Sequence, residues 1–264
     1  MNQAFVTAGG HRLEYQRIEG SAEAPCLVFL HEGLGSVALW RDFPAKLAQA
    51  TGAPAVVYSR YGYGASDRLT APRAVDYMHR EAQETLPDLR EALGLEDVIL
   101  IGHSDGASIA LIHAGSEFWP VRALLLEAPH VFVEEISVES IAAAREAYAT
   151  TDLRRRLERY HGDVDGAFRG WNDIWLDPAF RDWNIEDYLP GVHSPVLAIQ
   201  GADDEYGTLA QLDAIERGVA GRFERRVLAQ CQHSPHRDQE EAVLAAMTDF
   251  IGRVRSASRS ANQP

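Results

Sequence analysis

Short aliphatic runs alternate along this chain with longer segments whose apolar residues return every three to four positions, the signature of a mostly parallel sheet covered by helices on both faces. The runs are Cys26 to Leu30, Ala55 to Tyr58, Val98 to Ile101, Ala123 to Leu126, Val196 to Ile199 and Phe223 to Leu228. A hairpin-like pair precedes them, Ala4 to Thr7 and Arg12 to Ile18, split by Gly9-Gly10. Eight strands of an α/β fold are expected. Helical stretches fall between the runs at Val37 to Ala50, Asp76 to Leu93, Gly106 to Ala114, Leu209 to Val219 and Gln239 to Val254, the last with Ala242, Val243, Ala246, Met247, Phe250 and Ile251 at helical spacing. A length of 264 residues suits one large domain of this kind.

The alternation breaks once, between Val133 and Pro190, where charged and aromatic helical sequence replaces a short connection. A helical cap is expected over residues 133–190, with 1–132 and 191–254 as the α/β core and the small polar residues 255–264 as a disordered tail. The cap holds Phe168, Trp171, Trp175, Phe180 and Trp183. Trp171 and Trp175 stand four apart and share one helical face, where they either glue the insertion to the sheet or line a substrate pocket.

The run Val98-Ile99-Leu100-Ile101 leads into Gly102-His103-Ser104-Asp105-Gly106 and then into Ala107, Ser108, Ile109 and Ala110. A serine at a sharp strand-to-helix turn needs a glycine two residues to each side, because neighbouring backbone must pass without meeting a Cβ. The helix that follows aims its N-terminus at the serine and favours negative charge there. A serine hydroxyl is a weak nucleophile until a base takes its proton, so a histidine has to come from elsewhere in the fold. Of the ten histidines, His233 and His236 stand in the loop after the last strand and before the closing helix, and they are the best candidates. The base needs a carboxylate to fix its tautomer. Gly201-Ala202-Asp203-Asp204 leaves the run Val196 to Ile199 on the same carboxyl edge of the sheet.

Together these motifs resemble the α/β-hydrolase superfamily, in its capped branch of carboxylesterases, lactonases, cofactor-free perhydrolases and carbon-carbon hydrolases, from about Leu27 to Val254. The resemblance implies an α/β-hydrolase fold, with an eight-stranded mostly parallel sheet and a helical cap inserted after strand 6. It implies Ser104 as nucleophile, Asp204 as acid through a G-x-x-D pattern on Gly201 and Asp204, and His233 as base, two residues ahead of Pro235. Asp203 and His236 are the runners-up. It also implies an oxyanion hole made by the backbone N–H of Asp105 and that of Glu32 or Gly33, in the stretch His31-Glu32-Gly33-Leu34-Gly35 where relatives carry His-Gly-x-x-Gly. Many relatives have an aspartate where Ser59 opens Ser59-Arg60-Tyr61-Gly62-Tyr63-Gly64. A carboxylate aimed at an oxyanion would oppose catalysis, so Glu32 is expected to turn away and pair with Arg60 on the neighbouring strand end. Haloalkane dehalogenases and epoxide hydrolases of this fold carry aspartate as nucleophile, and Ser104 speaks against both.

A formal net charge of -14 repels phosphate backbones and anionic membrane surfaces, so nucleic acid and membrane are not expected partners. Met1 to Gly10 shows no basic stretch followed by an apolar one, Met1-Asn2-Gln3 lacks the glycine of a lipidation signal, and no run reaches the length of a membrane span. A cytoplasmic protein acting on a small molecule is expected; monomer and homodimer fit the sequence equally. Cys26 and Cys231 form no CxxC pair, and His161-Gly162-Asp163-Val164-Asp165 lacks further ligands at useful spacing, so neither metal nor cofactor is expected. The leading expectation is hydrolysis of a small carboxylic ester through an acyl-enzyme. Lactone and thioester hydrolysis would use the same groups. A carbon-carbon hydrolase of a ring-fission product would also need cations for the substrate's carboxylates, for which Arg60, Arg169 and Arg181 are candidates. A ligand-binding receptor would keep the fold without turnover.

Overall fold

The structure, a computed structural model, describes residues 4–261. Its strands are β1 (Ala4–Ala8), β2 (His11–Ile18), β3 (Cys26–Leu30), β4 (Ala55–Tyr58), β5 (Val98–His103), β6 (Ala123–Glu127), β7 (Val196–Gly201) and β8 (Phe223–Leu228). They form one sheet in the order β1-β2-β4-β3-β5-β6-β7-β8. β2 runs antiparallel to β1 and β4, and every pair from β4 to β8 is parallel. The chain is thus an α/β-hydrolase fold with an eight-stranded, mostly parallel sheet.

The helices are α1 (Phe43–Thr51), α2 (Tyr77–Arg80), α3 (Leu86–Leu93), α4 (Asp105–Gly115), α5 (Glu135–Thr150), α6 (Leu153–Leu157), α7 (Val164–Trp175), α8 (Ala210–Gly218), α9 (Pro235–Asp238) and α10 (Glu240–Ala261). Period-two alternation in the strands splits the apolar side chains between two cores. Val28 and Leu30 of β3 join α3, α4 and α8 on one face. Leu27 and Phe29 join Phe43 and Leu47 of α1, and Val243, Met247, Phe250 and Ile251 of α10, on the other.

Three helical stretches differ from the sequence reading. Val37 to Ala50 divides into a 3-10 turn, Val37–Trp40, and α1, with Arg41 between them at a φ of 55°. Pro44 is the reason: it lacks an N–H and fits only the first turn of a helix. Asp76 to Leu93 contains a π-type turn at Glu81–Thr85 just before Pro87, where the chain dispenses with the donor that proline lacks. The expected disordered tail is helical as far as Ala261, with residues 262–264 outside the described ones. Val254 packs on the core and Arg255 donates to the Thr51 carbonyl at 2.7 Å, which ties the end of α10 down.

The parallel strands end on one edge of the sheet, at Leu30, Tyr58, His103, Glu127, Gly201 and Leu228. Between β6 and β7 the chain leaves that edge to build α5, α6, α7 and two 3-10 turns, Pro178–Phe180 and Glu186–Gly191. A bridge between Phe132 and Asn184, with Ile185 N–H donating to the Val131 carbonyl at 2.8 Å, draws the two ends of this excursion together. No helix of the described residues is long and apolar enough to cross a membrane.

Candidate active site

Ser104 stands between β5 and α4 with φ 53° and ψ -117°, a conformation that costs about 1–3 kcal/mol for a residue with a side chain. The surroundings hold it there. Its N–H donates to the Glu127 carbonyl at 2.9 Å, and its own carbonyl accepts from Ala107 N–H at 2.9 Å and Ser108 N–H at 3.1 Å. Gly106 lets this turn sit against β3, because a Cβ on it would overlap the Leu30 carbonyl.

The Ser104 hydroxyl lies 2.9 Å from His233 Nε2, and His233 Nδ1 lies 2.8 Å from Asp204 Oδ1. Asp204 cannot donate as a carboxylate, so Nδ1 carries the proton and Nε2 is left to accept from the serine. The Tyr206 N–H at 2.9 Å and Gln200 Nε2 at 3.1 Å complete the shell of the Asp204 carboxylate. Burial pushes the Asp204 carboxyl up, but His233 and then the Tyr206 amide outweigh it and hold the group below its ordinary value. Asp203 is exposed outside this chain of hydrogen bonds, and His236 is engaged elsewhere.

The loop after β3 brings Glu32 and Gly33 to the same place. Both line a cavity of about 240 Å³ with Ser104 and His233, while Asp105 N–H is the first amide of α4. The expected ion pair between the Glu32 carboxylate and Arg60 is not formed. Arg60 is buried under the loop and donates to the backbone carbonyls of Glu32, at 2.9 Å, and His31, at 3.2 Å; its charge faces Asp105 at 3.5 Å. The Glu32 carboxylate turns instead to His103 Nδ1 at 3.4 Å. A side chain from the adjacent strand end reached the main chain of the loop and found its counter-charge on the residue after the serine. Nor did the acid missing at Ser59 move to Glu32: Ser59 Oγ donates to Glu14 of β2 at 2.8 Å.

Trp171 and Trp175 both line the cavity, with Leu34, Ile141, Ser137, Tyr206, Glu205 and His130. The Trp171 indole covers Gly33, and Trp175 Nε1 donates to the Tyr77 hydroxyl at 3.1 Å and to Asp105 at 3.3 Å. The sequence reading did not single out His103, His130, Glu205 or Tyr206. Their positions carried a signal: His103 and His130 stand at or just past the carboxyl ends of β5 and β6, and Glu205 and Tyr206 directly follow Asp204. Arg169 and Arg181 are not in the cavity wall; Arg181 pairs with Glu135 at 2.6 Å and Arg169 lines a separate groove. His161 accepts from Gly64 N–H at 3.1 Å and donates to the Leu34 carbonyl at 3.0 Å, and Asp163 caps α7, so that stretch has structural partners.

Residues 27–246 match the model of the alpha/beta hydrolase family. A proline iminopeptidase of Lactobacillus delbrueckii subsp. lactis is 31% identical, over 92% of this chain and 95% of that one. The mouse protein named serine hydrolase BPHL is 25% identical, over 95% of this chain and 87% of its own. Among solved structures, the enol-lactonase from Burkholderia xenovorans LB400 superposes with a TM-score of 0.74 at 19% identity, covering 94% of this chain and all of that one.

Proposed function

The chain belongs to the alpha/beta hydrolase family, and on that premise we propose that it is a serine hydrolase of small, uncharged carboxylic esters. The observation that carries the reading is the unbroken line from Ser104 Oγ through the His233 ring to Asp204, at 2.9 Å and 2.8 Å. In the proposed reaction His233 Nε2 takes the serine proton as Oγ attacks the ester carbonyl, and the imidazolium is stabilised by Asp204. The amides of Asp105 and of Glu32 or Gly33 would hold the oxyanion. His233 then gives its proton to the departing alcohol, and water attacks the acyl-enzyme by the same route in reverse.

The wall of the cavity supports the substrate class. It contains two tryptophans, Leu34 and Ile141 but neither arginine nor lysine among the described residues, so nothing there would hold the carboxylates of a ring-fission diacid. The carbon-carbon reading is therefore the weaker one. A second reading, release of an N-terminal residue as the names of the iminopeptidase relatives suggest, draws support from the Glu205 carboxylate in the wall, which suits an amine. The deciding experiment compares turnover of a short-chain nitrophenyl ester with that of a proline nitroanilide. Faster ester turnover is expected; anilide turnover alone would transfer the assignment to the peptidase reading, and no turnover of either would sink both.

A further inference from the structure

His103, the residue before Ser104, is 1% exposed, and both nitrogens of its ring face oxygen. Nε2 lies 2.7 Å from the His233 backbone carbonyl, which can only accept, so Nε2 carries a proton. Nδ1 faces Glu32 Oε2 at 3.4 Å and makes no hydrogen bond to another described group. A neutral imidazole has one proton, already committed to Nε2, and would set the bare lone pair of a buried nitrogen against a carboxylate. A second proton on Nδ1 turns that repulsion into attraction.

We propose that Glu32 and His103 form a buried ion pair of positioning residues, in which the imidazolium anchors the main chain of His233 and neutralises a carboxylate beside the oxyanion. The inference rests on the serine hydrolase reading. It joins three loops: the loop after β3, whose carbonyl at Glu32 is held by Arg60 and by His31 Nδ1 at 2.7 Å, the turn after β5, and the loop after β8. With its backbone fixed on that side, Glu32 keeps its side chain in the cavity wall over Gly35, 18% exposed. Left alone, its charge would raise the energy of the tetrahedral intermediate. Paired, most of that charge is offset by the imidazolium.

The other groups around His103 agree. The Glu127 carboxylate at the end of β6 lies nearby, with Oε2 taken by His236 and Oε1 unpartnered. The rings of His236 and His233 stand 5.2 Å and 5.3 Å away, and Trp40 presents an edge at 6.3 Å. Burial alone would push the imidazole down, but Glu32 and then Glu127 outweigh it and raise the group to about 9, while Glu32 is held well below the usual carboxylate range despite burial.

The test uses His103→Gln, which keeps a donor for the His233 carbonyl without the charge, Glu32→Gln, and the double variant. Rates are read by fluorophosphonate labelling of Ser104, which depends on the activated serine and not on the ester preferred. His103→Gln should label about 100-fold more slowly, and adding Glu32→Gln should restore most of that loss. The wild-type rate should fall above about pH 9, where His103 loses its proton and leaves Glu32 uncompensated, and Glu32→Gln should lack that fall. Ring 15N spectra should show both His103 nitrogens protonated at pH 8 in the wild type and one in Glu32→Gln. An unimpaired His103→Gln, a double variant no faster than the single one, or a bare His103 nitrogen in the wild type would overturn the inference; the spectra decide even if His103→Gln does not fold. A wild type that does not label would overturn the hydrolase reading itself.

Discussion

The His236 ring donates from Nδ1 to Glu127 Oε2 at 2.9 Å, and the same oxygen accepts the backbone N–H of His236 at 2.8 Å. The residue that competed with His233 for the role of base is thereby turned into the wall behind the site, its ring tilted against Trp40 with centroids 4.7 Å apart.

The two histidines should fail in different ways. His233→Ala should lower kcat/KM by about 10⁴-fold or more with little change in stability, as loss of a triad member does. His236→Ala strands a buried carboxylate and should cost about 3–5 kcal/mol in urea unfolding, while the folded fraction keeps activity within an order of magnitude. Steady-state rates and unfolding curves on both variants check this, and a larger rate loss at His236 would reverse the assignment.

Asp105 is a second buried carboxylate, 1% exposed, accepting from the Tyr77 hydroxyl at 2.7 Å and facing Arg60 at 3.5 Å. Asp105→Ala should destabilise the protein by about 3–5 kcal/mol, because the Arg60 guanidinium keeps its charge without a counter-charge. Asp105→Asn, which retains a partner for Tyr77, should lose less. Equal losses in thermal unfolding would mean that the missing counter-charge of Arg60 sets the whole cost and the Tyr77 hydrogen bond adds nothing.

Gly33 has the Trp171 indole where a Cβ would be. Gly33→Ala should therefore displace either the tryptophan or the loop, with kcat/KM falling about 100-fold on the scale of a misplaced oxyanion donor. Adding Trp171→Ala should recover a large part. A double-mutant cycle measures the coupling, and strictly additive losses would show that the two residues do not act on each other.

Acid should destabilise the fold well before the carboxylates titrate. His113 accepts from Arg90 at 3.0 Å and donates to the Ala82 carbonyl at 2.7 Å, which leaves no room for a second proton. Burial, with the charge of Arg90 adding to it, lowers His113 to about 4; burial and then His233 lower His130 to about 4. The unfolded chain binds these protons near the ordinary 6.5 and the folded chain does not, so stability present above pH 6.5 is lost as the pH falls towards 4. Tm at pH 4.5 should lie several degrees below that at pH 7, and His113→Gln should shrink the difference. A flat Tm across that interval would contradict the neutral assignment.

The parts of the site legible in the sequence were those set by main-chain geometry at strand ends. Ser104, Asp204 and His233 each follow a strand by a few residues, so a reading that placed the strands brought the three to one edge. The partner of Glu32 was not legible, because it depends on which way two side chains turn. Arg60 and His103 both flank Glu32 on adjacent strand ends, and the choice fell to His103 because Arg60 Nη2 is held by the Glu32 and His31 carbonyls and faces Asp105. The same holds for the helix interruptions: Pro44 and Pro87 are visible in the sequence, but the π-type turn at Glu81–Thr85 is one of several ways to accommodate a missing donor.

Ser104, Asp204 and His233 are supplied by separate loops on the sheet edge, whereas Ser137, Ile141, Trp171 and Trp175 all belong to the single excursion between β6 and β7, pinched shut at Phe132 and Asn184. Floor and roof can therefore drift at different rates. A recombination that replaced the roof at that narrow neck would set the same proposed nucleophile in a differently shaped chamber, so the excursion is where new preferences can evolve while the strand-end residues beneath stay as they are.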